Sequence, residues 1–539
     1  MLVAAAALAF VVLALHAAWV ETPTVDEYAH VPAGVAYLRY GAFDLYAKNP
    51  PLFKMLMAAP VVLAGAAAPQ PPQNLTGGWA PWEYGSRFLA VNRDRYIRLF
   101  FLARLVAIAA GLLTGLILYR WARELFAAPA AAVATALYFL DPTVLAHSHL
   151  ATVDAAAMLS ITLSVYALRR ALAAPSLPRF ALAGLAWGAA LSVKFTALLL
   201  LPVILGLVAL RRPPRRLAAS LVVIGITALF AVNLSAGFSG AGRQLGSFAF
   251  ASAFGRSLQR AAPAWLPVPL PASYAAGFDA QKYDAEHGEF PTYFAGSWRT
   301  TGPWYYDLVA LGAKTPLWAL ALFVLGAGAV GIGGLPRLEK FAILAPPLLL
   351  LLAFAAFNSL KIGIRYLLPT LPFLYLAGAA LWRKPPNRTV RLVMLTLLAL
   401  QFGAAIRVHP EYLSYFNAVG GGEEGGHHLL LDSNLDWGQD LYRLPAALAR
   451  LGYTGTIGLL YFGHVDPALY GIHYEIVPPF PVAGVLAVSV NYLMGAEYVA
   501  VGPGGNLVGV GKDYLAWLRS RQPVARCGSI WIFDTRAAR

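Results

Sequence analysis

Two adjacent carboxylates, Asp26 and Glu27, follow directly after the first long apolar run of the chain. A carboxylate just outside a membrane can remove the proton of an attacking hydroxyl, so the pair is a candidate catalytic centre. The same residues would also stabilise the N-terminus of a helix over 27–40, with Thr24 as its cap. Catalysis and capping are compatible roles for this pair.

Several cations lie where apolar runs end. Arginine forms bidentate contacts with phosphate and lysine acts as a point charge, so a group of them would bind a phosphate. Each cation alone is also explained as an interfacial anchor whose long side chain reaches the lipid headgroups. Four of them lie at the outer ends of predicted spans: Arg104, Lys194, Lys314 and Arg365, which follows Lys361. Lys48 and Lys54, beside Pro50-Pro51, are separate candidates for meeting an anion.

A short segment carries His147, His149 and Asp154. Histidine and aspartate are zinc ligands, so the three suggest a metal site. Two histidines two positions apart are also common as polar loop residues, and Asp154 can cap the helix that it opens. The residues by themselves leave a divalent ion open.

The motif Asn434-Leu-Asp436-Trp437-Gly-Gln439 is dense in hydrogen-bonding groups around a tryptophan. A sugar ring stacks on an indole while its hydroxyls bind carboxylates and amides, so these residues are candidate sugar or acceptor contacts. A turn that caps the following helix explains the same residues equally well.

The composition indicates what must position these residues. Of 539 residues, 59% are hydrophobic and 12% are charged, whereas soluble proteins carry about 25% charged residues. This excludes a soluble enzyme and a disordered protein. The single cysteine, Cys527, excludes an intramolecular disulfide and a cysteine-based metal cluster.

Eleven apolar segments have lengths near the roughly 20 residues that a bilayer-spanning helix needs. They are 2–20, 99–119, 125–140, 153–168, 180–191, 195–210, 217–235, 308–330, 341–357, 366–382 and 392–406. The fold class predicted is therefore an α-helical polytopic membrane protein. We read segment 2–20 as a retained first helix, because it has no basic region before it and no small-residue cleavage site after it.

The net charge of +15 reflects topology. Lysine and arginine collect in cytoplasmic loops, so the basic loops after spans two, four, six, eight and ten are predicted to be cytoplasmic. Their basic residues are Arg120, Arg123, Arg169, Arg170, Arg179, Arg211, Arg212, Arg215, Arg216, Arg337, Lys340, Arg383, Lys384, Arg388 and Arg391. No nucleic-acid partner is needed to explain the charge.

This topology places the N-terminus inside and the polar mass outside. Residues 1–406 form the predicted membrane domain, with outer loops 21–98 and 236–307. Residues 407–539 form a small extracytoplasmic α/β domain, in which strands over 456–462, 484–490 and 529–533 alternate with helical stretches such as 439–451. The alanine- and arginine-rich composition suggests a bacterial inner membrane.

Together these motifs resemble the protein O-mannosyltransferase-like, phospholipid-carrier-dependent glycosyltransferases of the GT-C superfamily, which include the aminoarabinose transferases. The resemblance rests on five features in order. They are Asp26-Glu27, Pro50-Pro51, Asp154, Ser192-Val-Lys194-Phe-Thr196 after Gly184, and Arg365-Tyr-Leu-Leu-Pro369-Thr-Leu-Pro372. The tail motif from Asn434 to Gln439 is similar to one in bacterial members.

The resemblance implies transfer of a hexose or pentose from a polyprenyl-phosphate donor, with inversion, to a protein, lipid or glycan on the outer face. It implies that Asp26 is the catalytic base with Glu27 as its neighbour, that Lys194 and Arg365 hold the donor phosphate, and that Asp154 is the second acidic position. It also implies that the site needs no nucleotide sugar and no metal cofactor. One departure concerns Lys48: aminoarabinose transferases have lysine directly before Pro-Pro, whereas here Asn49 intervenes.

Two other classes of function use a similar membrane chain. A lipid-linked sugar flippase or transporter would carry charges deep in its helices, whereas these spans are nearly free of charge. A polysaccharide polymerase or ligase would use a pyrophosphate-linked donor, and two phosphates would require more clustered arginines.

Overall fold

The structure is a computed structural model that describes residues 1–72, 78–211, 214–288, 290–357, 359–383 and 386–536. Arg212 and Lys384, two of the predicted cytoplasmic cations, lie outside these ranges.

The described part of residues 1–407 is mainly helical. Its α-helices are α1 (Leu2–Val20), α2 (Val25–Tyr40), α3 (Leu52–Leu63), α4 (Ala80–Asn92), α5 (Tyr96–Leu125), α6 (Ala128–Phe139), α7 (Pro142–Ser148), α8 (Asp154–Ala173), α9 (Leu177–Leu191), α10 (Leu201–Arg211), α11 (Pro214–Ser235), α12 (Ala253–Ala261), α13 (Ala272–His287), α14 (Tyr306–Lys314), α15 (Leu317–Ile332), α16 (Arg337–Phe357), α17 (Leu371–Ala379) and α18 (Arg388–Arg407). A short antiparallel hairpin, β1 (Thr292–Phe294) with β2 (Ser297–Arg299), follows α13.

Helices lie within all eleven predicted spans, and several of the spans are interrupted. Among the described residues, six helices are long and apolar enough to cross a membrane, and two bent helix pairs raise this number to eight. The other three predicted spans fall on the shorter apolar helices Leu177–Leu191, Phe195–Arg211 and Leu368–Trp382. The polytopic membrane character is therefore confirmed, and the number of eleven crossings stays a prediction.

The predicted single helix over 308–330 is wrong. The structure has two helices here, α14 and α15, bent by 118°. Thr315 is extended, with φ −110° and ψ 137°, because the proline at 316 disfavours helical backbone in the residue before it and has no N–H of its own. Lys314 is thereby placed at the end of a separate short helix.

Close helix packing positions the segment that carries Lys194. A Cβ on Gly184 would lie 2.5 Å from the carbonyl oxygen of Ile224, and one on Gly188 would lie 2.5 Å from that of Ala228. Only glycine allows α9 and α11 to approach so closely. The chain then leaves α9 at Leu191 and reaches Lys194 in extended backbone.

The tail contains the remaining elements: α19 (Gly422–Gly425), α20 (Leu444–Arg450), β3 (Ile457–Leu460), β4 (Tyr474–Ile476), β5 (Val485–Ser489), α21 (Val490–Leu493), β6 (Val499–Val501), β7 (Leu507–Gly509), β8 (Ala525–Cys527) and β9 (Ile530–Asp534). A mixed five-stranded sheet has the order β4-β3-β5-β9-β8, and β6 pairs with β7 separately. Within the sheet β3 is parallel to β4 and β5, whereas β9 is antiparallel to β5 and β8.

The three strands predicted in the tail are confirmed as β3, β5 and β9. The predicted helical stretch 439–451 is a 3₁₀ turn, Gln439–Arg443, followed by α20. The division of the chain into domains at residue 406 stays a prediction, because residues of segment 413–440 form hydrogen bonds with the helical part, as described below.

Candidate active site

The start of α2 sets the position of Asp26. The helix begins at Val25, with Thr24 extended at its N-cap. Glu27 Oε2 accepts a hydrogen bond of 2.8 Å from the backbone N–H of Thr24. Such back-bonding to the N-cap fixes the first turn of a helix. The predicted capping role of Glu27 is therefore confirmed, and the helix begins two residues before the predicted range.

Glu27 is 0% exposed, and protein donors bind both oxygens of its carboxylate. Arg104 donates to both oxygens at 2.7 Å, and the N–H of Ala151 donates to Oε1 at 2.7 Å. Burial raises the pKa of Glu27, but the charge of Arg104 and these hydrogen bonds outweigh it and hold the pKa below its usual range. Glu27 thus holds the framework around Asp26, with both of its oxygens bound by protein donors. Its predicted place in the catalytic pair stays a prediction.

Arg104 is predicted to bind a phosphate, and in the structure its guanidinium donors are bound by protein atoms. It is 1% exposed, and its remaining N–H groups donate to the carbonyls of Ala18, Glu21 and Thr22 at 2.7–3.1 Å. Together with the two bonds to Glu27, all five guanidinium N–H groups are used. Arg104 ties the end of α1 to the start of α2 and has no donor left for a ligand.

Asp26 pairs with Arg365, as only the tertiary structure reveals. Asp26 Oδ2 accepts a hydrogen bond of 2.5 Å from Arg365 Nη1, and both side chains are mostly buried. The guanidinium lies 4.5 Å from the ring of Trp437, and its Nε is buried without a partner. Burial lowers the pKa of Arg365, but the charge of Asp26 outweighs it and raises the pKa above its usual value. Arg365 is therefore a fixed cation with an unused donor.

A second ion pair joins the two other predicted site residues. Lys194 Nζ donates to Asp154 Oδ1 at 2.7 Å, and both side chains are buried. Thr152 Oγ1 donates to the other oxygen of Asp154 at 3.0 Å. Lys194 also lies 4.9 Å from the ring of Tyr366, the neighbour of Arg365. The pair is thus close to the segment that supplies the first ion pair.

The two pairs form one cluster of charges. The charge of Arg365 acts on both Asp26 and Asp154, and His30 lies in the field of all three. The structure therefore brings together Asp26, Asp154, Lys194 and Arg365, four of the residues that the sequence singled out. His30 was missed, although its position four residues after Asp26 places it on the same helix face.

Four other cations named from the sequence, Lys48, Lys54, Lys314 and Lys361, are bound elsewhere. Lys48 Nζ pairs with Asp284 at 2.6 Å and is 35% exposed. Lys54 is buried, with its ammonium donating to Tyr37 Oη at 2.9 Å and to the Tyr46 carbonyl at 2.6 Å.

Lys314 is buried as well, and it donates to the carbonyls of Leu413 and Asn434 at 2.8 and 2.6 Å. Lys361 pairs with Asp307. None of these bonds joins Lys314 or Lys361 to the Asp26–Arg365 pair.

The tail motif is buried and serves as a clamp. Asn434 Oδ1 accepts from the N–H of Ile364 at 3.0 Å, and its amide donates to Tyr306 Oη at 3.0 Å. Gln439 Oε1 accepts from the N–H of Trp437 at 2.8 Å. Asn434, Asp436, Trp437 and Gln439 are each at most 2% exposed. Asp436 Oδ1 accepts from the N–H of Gly438 at 3.2 Å, so part of the motif forms the predicted turn. Within the described residues, no side chain caps the 3₁₀ turn Gln439–Arg443 that follows. Direct contact of these buried side chains with a sugar stays a prediction.

The clamp holds the segment before Asp26. The carbonyls of Trp437 and Gln439 accept from the N–H groups of Val25 and Thr22, each at 3.0 Å. Tyr442 N donates to Thr22 Oγ1 at 3.0 Å. The tail thus fixes both partners of the central ion pair, Asp26 through this backbone and Arg365 through Asn434 and Trp437.

The described residues contain no group of three or more histidine, cysteine, aspartate or glutamate side chains placed to hold a metal ion. His149 bonds instead to the carbonyl of Leu145 at 2.7 Å and to Glu21 at 2.8 Å. His147 is buried, and among the described residues its Nδ1 has no hydrogen-bond partner. The charges of Asp154 and Arg365 act on its ring. The predicted trio of His147, His149 and Asp154 is therefore divided between different partners.

A match to a known family covers part of this arrangement. Residues 98–236 match the family described as dolichyl-phosphate-mannose-protein mannosyltransferase. This segment includes Arg104, Asp154 and Lys194. The match confirms, for this part of the chain, the predicted resemblance to the protein O-mannosyltransferase-like glycosyltransferases. No curated protein matches the chain.

Two solved structures are similar over most of the chain. The crystal structure of ArnT from Cupriavidus metallidurans bound to undecaprenyl phosphate has 14% sequence identity and a TM-score of 0.47, covering 98% of this chain and 98% of that chain. The apo form of the Archaeoglobus fulgidus oligosaccharyltransferase has 13% identity and a TM-score of 0.49, covering 95% of this chain and 74% of that chain.

Proposed function

We propose that the chain is an inverting glycosyltransferase that moves a sugar from a polyprenyl-phosphate donor to an acceptor on the outer face of the membrane. One observation carries the proposal: the carboxylate–cation pairs Asp26–Arg365 and Asp154–Lys194 lie in one cluster of charges, and Asp26 follows the first apolar helix. The match of residues 98–236 to a lipid-phosphate-dependent mannosyltransferase family supports it.

The reaction needs a base and a stabilised leaving group. In the proposed step the acceptor oxygen bonds to the anomeric carbon, while the bond from that carbon to the phosphate oxygen breaks. The acceptor proton goes to Asp26, and the electron pair stays on the polyprenyl phosphate. Attack from the face opposite the phosphate inverts the anomeric carbon.

Arg365 links the two halves of this step. Its Nη1 orients Asp26, while its buried Nε has no protein partner and can donate to a phosphate oxygen. A single planar guanidinium can therefore fix the base and bind the leaving group together. Lys194 supplies a second positive charge, and fixed cations stabilise the negative charge that develops on the phosphate.

The membrane setting fits a lipid-linked donor. The prenyl chain can remain in the bilayer beside the apolar helices, so the protein needs to bind only the phosphate and the sugar. We place the N-terminus and the basic loops in the cytoplasm of a bacterial cell, and the site and the tail on the opposite side. Identification of the glycosylated product would show whether the acceptor is a protein, a lipid or a glycan.

Asp26→Asn tests the proposal. Membranes that contain the wild-type chain should convert polyprenyl-phosphate mannose, glucose or arabinose probes to free polyprenyl phosphate and a glycosylated product. Asp26→Asn should lower this rate about 100-fold or more, because a positioned base contributes at least that factor. The control is Asp94→Asn, an exposed carboxylate of the same outer region. Wild-type rates in Asp26→Asn would exclude Asp26 as the base.

The same assay separates the alternatives. A flippase would move the lipid-linked sugar between leaflets without releasing polyprenyl phosphate. A polymerase or ligase would consume a polyprenyl-pyrophosphate donor in preference to the monophosphate. Either result would overturn the proposed function.

A further inference from the structure

His30 is the least satisfied polar side chain near the two ion pairs. It is 1% exposed, and neither of its ring nitrogens has a hydrogen-bond partner. A buried polar group without a partner costs free energy, so such a group at a site indicates a missing ligand. The ring stacks on Tyr46 with centroids 5.3 Å apart and planes 28° apart, which fixes its orientation.

The charged groups around His30 are engaged with other residues. Asp26, Lys54, Asp154 and Arg365 all act electrostatically on the ring. Asp26 is bound by Arg365, Asp154 by Lys194, and Lys54 by Tyr37 and the carbonyl of Tyr46. The imidazole is therefore left to bind a molecule that enters the cluster.

The state of the ring indicates what kind of group it binds. Burial lowers the pKa of His30 to about 4, so the ring is neutral at physiological pH. A neutral imidazole offers one N–H donor and one acceptor nitrogen, which complements a hydroxyl, itself both donor and acceptor. A phosphate offers only acceptors when ionised and is better served by Arg365 and Lys194.

We infer that His30 binds a hydroxyl of the transferred sugar and thereby helps to select the donor sugar, an inference that rests on the proposed function. His30 shares a helix face with Asp26 and lies in the field of Arg365. The donor sugar must lie between the base and the phosphate cations, so its hydroxyls come within reach of this position. A site built to bond a hydroxyl discriminates strongly against a sugar that lacks it.

Donor binding without acceptor tests the inference, using purified protein in lipid nanodiscs. The probes are polyprenyl phosphate, a set of polyprenyl-phosphate hexoses and pentoses, and monodeoxy forms of the tightest-binding donor. His30→Phe should bind polyprenyl phosphate as wild type does, and should bind that donor about 10- to 100-fold more weakly, the factor expected for one lost hydrogen bond. His30→Asn, which keeps a donor and an acceptor, should recover part of the affinity.

One deoxy donor should identify the bonded hydroxyl. It should bind wild type as weakly as the parent donor binds His30→Phe, and the substitution should cause no further loss with it. His473→Phe, at an exposed histidine, is the control and should match wild type for every probe.

Several results would overturn the role of His30. They are equal losses for polyprenyl phosphate and for the sugar donor, or identical losses for all deoxy donors in both proteins. If wild type binds neither polyprenyl phosphate nor any donor of the set, it is the proposed function that fails.

Discussion

The carboxylate of Asp26 accepts a 2.5 Å hydrogen bond from Arg365, a residue 339 positions further along the chain. The indole ring of Trp437 lies 4.5 Å from the same guanidinium. The first outer helix, the segment before α17 and the tail therefore meet at one ion pair. A change in any of the three should affect the same chemistry.

Arg365→Lys should reduce kcat/KM about 100- to 1,000-fold. Lysine keeps the charge but cannot hold Asp26 with one edge and a phosphate with another, and it loses the planar contact with Trp437. Steady-state kinetics with the best lipid-linked donor measures the effect, and thermal unfolding in detergent checks that the variant is folded. Arg299→Lys, at an exposed arginine, is the control. Equal activity of both variants would contradict the bridging role of Arg365.

Glu27→Gln should lower the free energy of unfolding more than it changes the catalytic step. The substitution leaves the buried charge of Arg104 without its partner, which costs about 3–5 kcal/mol. The expected result is a clear fall in the thermal midpoint, reduced when Arg104→Met is added. The exposed pair Glu83–Arg87 supplies the control, because Glu83→Gln should change stability by less than about 1 kcal/mol. A stable but inactive Glu27→Gln would instead place Glu27 among the reacting groups.

Gly438→Ala tests the clamp between the tail and the helical part. Gly438 has φ +86°, and a Cβ there would lie 2.5 Å from the carbonyl oxygen of Phe462. The neighbouring carbonyls of Trp437 and Gln439 hold the backbone before Asp26, so both stability and turnover should fall. Gly452→Ala is matched, because Gly452 has φ +66° with open space around its Cβ position. Alanine at this position should cost only the strain of a positive φ. Equal turnover in both variants would show that the clamp does not position Asp26.

The stability of the tail should fall as pH rises from about 4 to about 8. Burial raises the pKa of Asp436 to about 7 and that of Asp440 to about 8, the latter with a contribution from the charge of Glu411. In this window the folded state binds more protons than the unfolded state, so the free energy of unfolding decreases with pH.

Asp436→Asn should remove one titrating proton and flatten this slope by up to about 1.4 kcal/mol per pH unit. Thermal midpoints measured between pH 5 and pH 8 show the change, with the exposed Asp513→Asn as control. A steeper slope in Asp436→Asn would contradict the assignment.

Cysteine labelling checks the topology. The single native cysteine, Cys527, is buried, so Cys527→Ser provides a background for new cysteines. Arg179→Cys lies in a predicted cytoplasmic loop and Asp94→Cys in the predicted outer segment, and both positions are exposed. A membrane-impermeant maleimide added to intact spheroplasts should label only Asp94→Cys. The reverse pattern would invert the proposed orientation and place Asp26 in the cytoplasm.

The sequence by itself determined the membrane character, the helical positions of the predicted spans and the strands β3, β5 and β9. These features follow from local composition and periodicity, since apolar runs of about 20 residues and alternating short segments carry their own signal. It also pointed to Asp26, Asp154, Lys194 and Arg365, because charges beside apolar runs are costly and stand out.

Only the tertiary structure decided which partner each of those charged side chains has. Arg104 and Glu27 have the same residue types as the reacting candidates, but they bond to each other across 77 positions, and Arg104 also bonds to the carbonyls of Ala18 and Glu21, 86 and 83 positions away. His30 carries no sequence signal of its own, since its importance comes from the partners that its ring lacks. Whether a polar side chain is satisfied depends on contacts between distant segments, and a linear pattern does not contain them.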